Sequence, residues 1–242
     1  MKKYIKLKMI LTICVGFMLT SCDLELQDTF DFVPEVDLTD PFANMTAWEY
    51  IQTRTALNDE GILSGEELNY MIAAIKKAGF EEYYSQTADT TRTYLLLNNN
   101  AFTGGGDVIN MVTGSATVAD GETPEQVMER VDTPEKLHVL RKILSYHIVD
   151  EYVAQVPTLP ETNTTVYFQT LLTTYDPSIP EEDGIIGMYR RERWEIRINY
   201  APSILPSTAT GGGWNEQVRN HNYVFNNGIG HYLNDAVRNR PY

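Results

Sequence analysis

The chain has 242 residues, with 19 Lys and Arg against 33 Asp and Glu, a net charge of −14 and two cysteines. Such an acidic chain is a poor partner for nucleic acid, whose phosphates need a basic surface. Two cysteines cannot staple a fold of this length, so its stability has to come from a buried core.

Residues 1–21 read as a lipoprotein signal peptide. Lys2, Lys3, Lys6 and Lys8 form a positive start, and Met9 to Leu19 is an apolar run well short of the roughly 20 residues that span a bilayer. The run ends in Leu19-Thr20-Ser21-Cys22, which resembles the lipobox of bacterial lipoproteins. That resemblance implies cleavage before Cys22 and lipid on its sulfur, anchoring the chain in the outer membrane of a Gram-negative bacterium. With Cys14 in the signal and Cys22 acylated, no thiol is left for a disulfide, a metal or a nucleophile. Residues 22–42 read as an acidic tether. They hold Asp23, Glu25, Asp28, Asp31, Glu35, Asp37 and Asp40 and no basic residue, so the segment repels itself and extends. Acids just after a lipidated cysteine also resemble a surface-export signal, which implies display on the cell surface.

Residues 43–242 read as one domain. A helix is expected from Thr46, where Thr46-x-x-Glu49 is a capping box and Trp48, Ile51 and Thr55 can share a face. Asn58 to Gly61 breaks it. Ser64-x-x-Glu67 is a second capping box, leading into Leu68, Met71, Ile72 and Ile75, with Gly79 placed for a left-handed cap. Arg92 to Leu97 reads as a buried strand, followed by a turn at Asn98-Asn99-Asn100. Gly104 to Gly106 lacks a following Gly-Lys-Ser/Thr and reads as a flexible connection rather than a phosphate loop. Thr123-x-x-Gln126 opens a short helix. Thr133 and Pro134 open a longer one whose apolar stripe is Leu137, Leu140, Leu144 and Ile148, with His147 on the same side.

Beyond Pro160 the apolar period changes to two. Strands are expected over Thr164 to Leu172, Arg193 to Tyr200 and Asn222 to Asn226, with loops at 176–184 and 206–213. Asn226-Asn227-Gly228 is a turn signal, and Ile229 to Leu233 leads to a short helix near Asp235. Helices first and strands later argue for an α+β fold.

Three stretches in this order resemble the fasciclin domain family. Thr93 to Phe102, with Asn98, Ala101 and Phe102, is similar to its first signature. Leu144 to Val149 carries its Tyr-His pair as Tyr146 and His147. Asn227-Gly228-Ile-Gly-His231-Tyr-Leu-Asn-Asp235 is similar to its second signature. Leu95 to Leu97 and Gly230 depart from the family pattern. The resemblance implies a wedge-shaped β-sandwich edged by helices and a role in adhesion, with no catalysis. It implies that the Tyr146-His147 pair is either an adhesion epitope or a structural element. A histidine on an apolar stripe is expected to be a core residue with its ring nitrogens satisfied by backbone.

No cofactor or metal site is expected, because His138, His147, His221 and His231 are scattered and no cysteine joins them. No serine elbow or thiol nucleophile is present. The stretch Tyr189-Arg190-Arg191-Glu192-Arg193-Trp194-Glu195-Ile196-Arg197 stands out in so acidic a chain. Tyr189, Arg191, Arg193 and Trp194 suit sugar rings or an acidic partner. The same pattern also describes a half-buried strand whose charges pair with Glu192 and Glu195. Two functions stay open: an outer-membrane adhesion protein binding envelope proteins, glycans or cells, and an accessory glycan-binding subunit of a polysaccharide-uptake complex.

Overall fold

The computed structural model describes residues 40–55, 65–89, 91–103, 108–115, 117–160, 163–192, 195–210 and 215–237. The chain divides after Leu38, and all of these residues belong to the Thr39–Tyr242 unit. The expected signal peptide, Cys22, almost all of the tether and the Gly104 to Gly106 connection lie outside the described residues. Among the described residues no helix is long and apolar enough to cross a membrane.

The first half is helical. Helix α1 (Ala47–Thr53) starts at the capping box expected for it: Thr46 Oγ1 accepts from Glu49 N at 3.2 Å, and Thr46 N donates to Glu49 Oε2 at 2.7 Å. The helix is only two turns long, so its buried face is Ala47, Tyr50 and Ile51, not the Trp48–Ile51–Thr55 stripe. Helix α2 (Asn69–Ala78) buries Met71, Ile72 and Ile75 and ends on Gly79 at φ 68°. It begins later than the Ser64 box predicts, with Leu68 at the cap and no side-chain bond from it. The orphan N–H of Tyr70 is taken instead by Asn99 Oδ1 at 3.2 Å, 29 residues away. Helix α3 (Glu81–Ser85) leads to strand β1 (Arg92–Leu97).

The triple asparagine is not a simple turn. Asn98 Oδ1 accepts from Ala101 N at 3.1 Å and caps a short helix, α4 (Asn99–Thr103). Helices α5 (Val108–Thr113) and α6 (Pro124–Glu129) follow, the latter with its capping box at Thr123 in place. Helix α7 (Pro134–Tyr146) has Thr133 as its cap and Pro134 in its first turn, as expected.

The strands make two four-stranded sheets. In the first, β2 (Ile148–Val149), β1, β8 (Gly228–Leu233) and β7 (Tyr223–Phe225) lie in that order; β1 and β8 are parallel, in register from Arg92↔Gly228 to Leu97↔Leu233. In the second, the order is β3 (Val166–Gln169), β4 (Ile185–Arg190), β5 (Ile196–Ile198) and β6 (Glu216–Gln217), all antiparallel. This is an α+β fold. All six residues of β8 are buried, so both faces of the first sheet's centre are covered.

Both sides of the two sheets are joined by backbone. At one side Leu171 N donates to Ile148 O at 2.9 Å and Asp150 N to Gln169 O at 2.9 Å. At the other, one segment serves both sheets. Val218 N bonds Ile196 O at 2.9 Å, and two residues on Tyr232 exchanges bonds with Arg219 and Asn220 at 2.8 and 2.7 Å. Few strand edges are left to template aggregation.

Four further expectations are not met in full. The Thr164–Leu172 strand stops at Gln169, and Leu172–Tyr175 forms helix α8, because a short apolar run fits a buried helix as well as a strand. The 206–213 loop contains helix α9 (Ser207–Thr210), and the 176–184 loop a 3₁₀ turn at Glu181–Gly184. The terminal helix near Asp235 is absent among the described residues, since Val237 N is bonded to His147 Nε2 at 3.1 Å rather than within a helix.

The β7–β8 turn forms at Asn226-Asn227 as the sequence signals. Gly228 has φ 150°, and a Cβ there would lie 2.2 Å from Arg92 O on the parallel neighbour. Gly230 leaves room for the Phe225 ring, which a Cβ would meet at 2.8 Å. Gly228→Ala is expected to destabilise the protein by about 3 kcal/mol or more in urea titration. Gly121→Ala, with φ 80° and open space around it, should cost about 1 kcal/mol. Equal losses at the two positions would mean that β1 and β8 separate without cost.

Candidate functional site

The family-motif residues meet at the seams of the fold. Tyr146 and His147, at the end of α7, are buried. The Tyr146 hydroxyl donates to Ile185 O at 3.0 Å and accepts from Asn199 Nδ2 at 3.0 Å. Burial pushes its ionisation up, so it stays a donor. Asn199, at φ 56°, also accepts from Gly187 N at 2.9 Å. Tyr146 thus fastens α7 to the second sheet.

His147 fastens α7 to the first. Its Nδ1 lies 2.7 Å from Ile143 O and is the donor there, because Nε2 accepts from Val237 N at 3.1 Å. Its carbonyl accepts from Leu95 N of β1 at 2.9 Å. Burial holds the ring down at a pKa of about 4.

His231 on β8 follows the same logic. Nε2 donates to Val153 O at 2.7 Å, and Nδ1 accepts from Asn222 N at 3.2 Å. Asn222, at φ 64°, marks the kink where the chain passes between the sheets, and its Oδ1 accepts from Gln155 N at 3.0 Å. Burial again lowers the imidazole to about 4. Asn227 is a staple: Oδ1 takes Ala47 N at 2.9 Å, and Nδ2 reaches Tyr84 O and Gln86 O at 2.9 and 2.8 Å. Ala101 and Phe102 are core, with Phe102 stacked on Tyr70. Asn98 donates to Gly65 O and Asn234 Oδ1 at 2.8 and 2.6 Å. None of these side chains is free to meet a partner.

The arginine-rich stretch lies at the second sheet. On β4, Ile186, Met188 and Arg190 are buried, while Tyr189 is half-buried on the opposite face, beside Arg197 of β5. The Arg197 guanidinium lies 4.9 Å from the Tyr200 ring centre, donates to its hydroxyl at 2.8 Å and pairs with Glu195 at 2.8 Å. Arg191 is exposed, with Glu195 at 3.7 Å. Arg193 and Trp194 lie outside the described residues. Tyr189 and Arg191 therefore sit on or beside the outer face of this sheet, together with Tyr200 and Tyr167, which sequence reasoning missed.

Two further groups escaped the sequence. Asn199 and Asn222 take left-handed backbone, a conformation that asparagine tolerates, but nothing local marks which asparagines do so. Glu67, Arg219 and Asn234 come together from three distant segments around a polar cleft with Asn98 to Asn100. Among the described residues, no three His, Cys, Asp or Glu side chains are grouped as metal ligands.

No family model and no curated protein matches the chain. Among solved structures, it is similar to a FAS1 domain pair from the insect cell adhesion molecule fasciclin I, with 12% identity and a TM-score of 0.47. The match covers 81% of this chain and 51% of that one. The chain thus spans about half the length of the structure it matches.

The two buried histidines set an acid limit. Each has a pKa near 4 in the fold against about 6.5 in the unfolded chain. Between those values the unfolded chain binds more protons, so stability is full above pH 6.5 and falls as pH drops toward 4. The loss is on the order of 3 kcal/mol per histidine. Thermal melts should show Tm flat from pH 8 to 7 and falling from pH 6.5 to 5. His147→Gln should be less stable at pH 7.5 but show a shallower pH slope. An unchanged slope would mean that the ring is accessible to protons in the folded state.

Proposed function

We propose that this chain is a lipid-anchored interaction protein of the Gram-negative outer membrane. Cys22 holds it, the acidic segment displays it, and the folded unit binds envelope proteins, glycans or neighbouring cells. The observation that carries this reading is the commitment of the motif histidines: His147 and His231 are buried, with all four ring nitrogens bonded to backbone. The resemblance of the three motifs to a family of adhesion domains points the same way. A non-enzymatic role follows from this reading.

The second reading, an accessory glycan-binding subunit of a polysaccharide-uptake complex, is favoured by the outer face of the second sheet. Tyr189, Arg197 and Tyr200 set aromatic rings beside a guanidinium, and such a face suits sugar rings.

Two measurements test the anchor and the display. Cys22→Ser should release the protein from the membrane fraction, and protease added to intact cells should digest the wild type. Retention of the variant or protection of the wild type would overturn the reading. Tyr189→Ala should weaken cell or glycan binding about tenfold, roughly 1.4 kcal/mol, with Tm unchanged. Unaltered binding would remove this face from the interaction.

A further inference from the structure

β1 and β8 run parallel and end side by side at Leu97 and Leu233. The chains then part. Asn98 turns into α4, while Asn234 leads toward Val237 and its bond to His147. At this divide lies a cleft of about 550 Å³, within the usual range for small-ligand sites. Glu67, Asn99, Asn100, Thr103, Arg219 and Asn234 line it, together with Asn98 and Gly65, and among the described residues no lining side chain is aliphatic or aromatic.

The lining is held in fixed orientations. Arg219 Nη1 donates to Asn234 Oδ1 at 3.2 Å, and since a guanidinium only donates, this sets the Asn234 amide. Asn98 must then offer its Nδ2 to the same oxygen, at 2.6 Å, leaving its Oδ1 for Ala101 N. Asn99 is tied at both ends, by Tyr70 N and by Asn69 Oδ1, each at 3.2 Å. Asn100 Nδ2 donates to Asn234 O at 3.2 Å. Two groups keep unused capacity among the described residues: the Nδ2 donor of Asn234 and the Oδ1 acceptor of Asn100.

The chemistry of this lining selects a ligand class. One carboxylate and one guanidinium leave no net charge, so a polyanion gains little. An apolar peptide finds no wall to bury against. Fixed amide donors and acceptors match adjacent hydroxyls, each of which both donates and accepts, and a site built from them discriminates strongly against ligands lacking those hydroxyls. We propose that the cleft at the ends of β1 and β8, lined by Glu67, Asn100, Arg219 and Asn234, binds a neutral saccharide. The proposal rests on reading the chain as a binding protein, and the cleft shares no residue with the outer face of the second sheet.

The test uses the full chain in detergent and titration calorimetry with four probes, linear hexasaccharides of glucose, mannose, xylose and fructose. At least one should bind. Asn100→Ala and Arg219→Gln should each weaken it about tenfold, the worth of one good hydrogen bond, with melting curves unchanged for the exposed Asn100. Glu129→Ala, exposed at the end of α6 and away from the cleft, should leave it within twofold. Absence of binding to all four probes overturns the proposal. So does binding that survives both cleft variants, or that is lost in Tyr189→Ala alone. A chain that binds cells but none of the saccharides refutes the cleft and leaves the adhesion reading standing.

Discussion

The fold depends on two adjacent side chains that leave the end of α7 in different directions. Tyr146 reaches the second sheet through Ile185 O and Asn199, and His147 reaches the first through Val237 and, by its carbonyl, Leu95. At the helix end the Ile143 carbonyl accepts both the backbone N–H of His147 and its imidazole N–H. One two-residue step therefore closes a helix, registers two sheets and fixes the C-terminal segment. Removing the Tyr146 side chain would take a bond from Ile185 O and Asn199 Nδ2, and removing that of His147 one from Ile143 O and Val237 N, at a cost on the order of 1 kcal/mol per bond.

The same arrangement separates structure from chemistry. A neutral imidazole has one donor and one acceptor, and both are used in His147 and in His231. Burial then makes the charged form costly, which lowers both pKa values. The two motif histidines are thereby among the least available groups in the fold. Tyr189 and Arg197 of the second sheet and Asn100 at the strand ends stay nearer the surface.

Much of the helical half was legible because its signals are local. Thr46, Thr123 and Thr133 cap helices three residues ahead of their partners, and Gly79 takes the left-handed cap that its position suggests. The strands around Ile196 and Phe225 and the Asn226-Asn227 turn were legible from alternation and turn chemistry. What stayed hidden is what joins distant segments. Asn99 caps a helix 29 residues upstream, and Asn98 meets Asn234 across 136 residues. Only Asn222 to Asn226 reads as a strand, yet the segment from Glu216 to Phe225 serves two sheets, with its kink at Asn222 held by His231 and Gln155. Helices α4 and α8, at five and four residues, are too short to show a period.

The polar cleft follows from the parallel pair. Antiparallel neighbours can be joined by a tight turn, but parallel neighbours end on the same side and must leave separately. Two chain segments then depart side by side, each with backbone groups that need partners. Short amide side chains meet that need from both segments: Asn98 caps α4, Asn99 takes the orphan donor of α2, and Asn234 receives Asn98 and Arg219. Their orientation is fixed by the fold before any ligand arrives, so the ordering cost of binding is already met. The asparagines therefore need no separate device to act as a recognition surface. The bonds that finish the strands also preorganise the amides that remain open to a ligand.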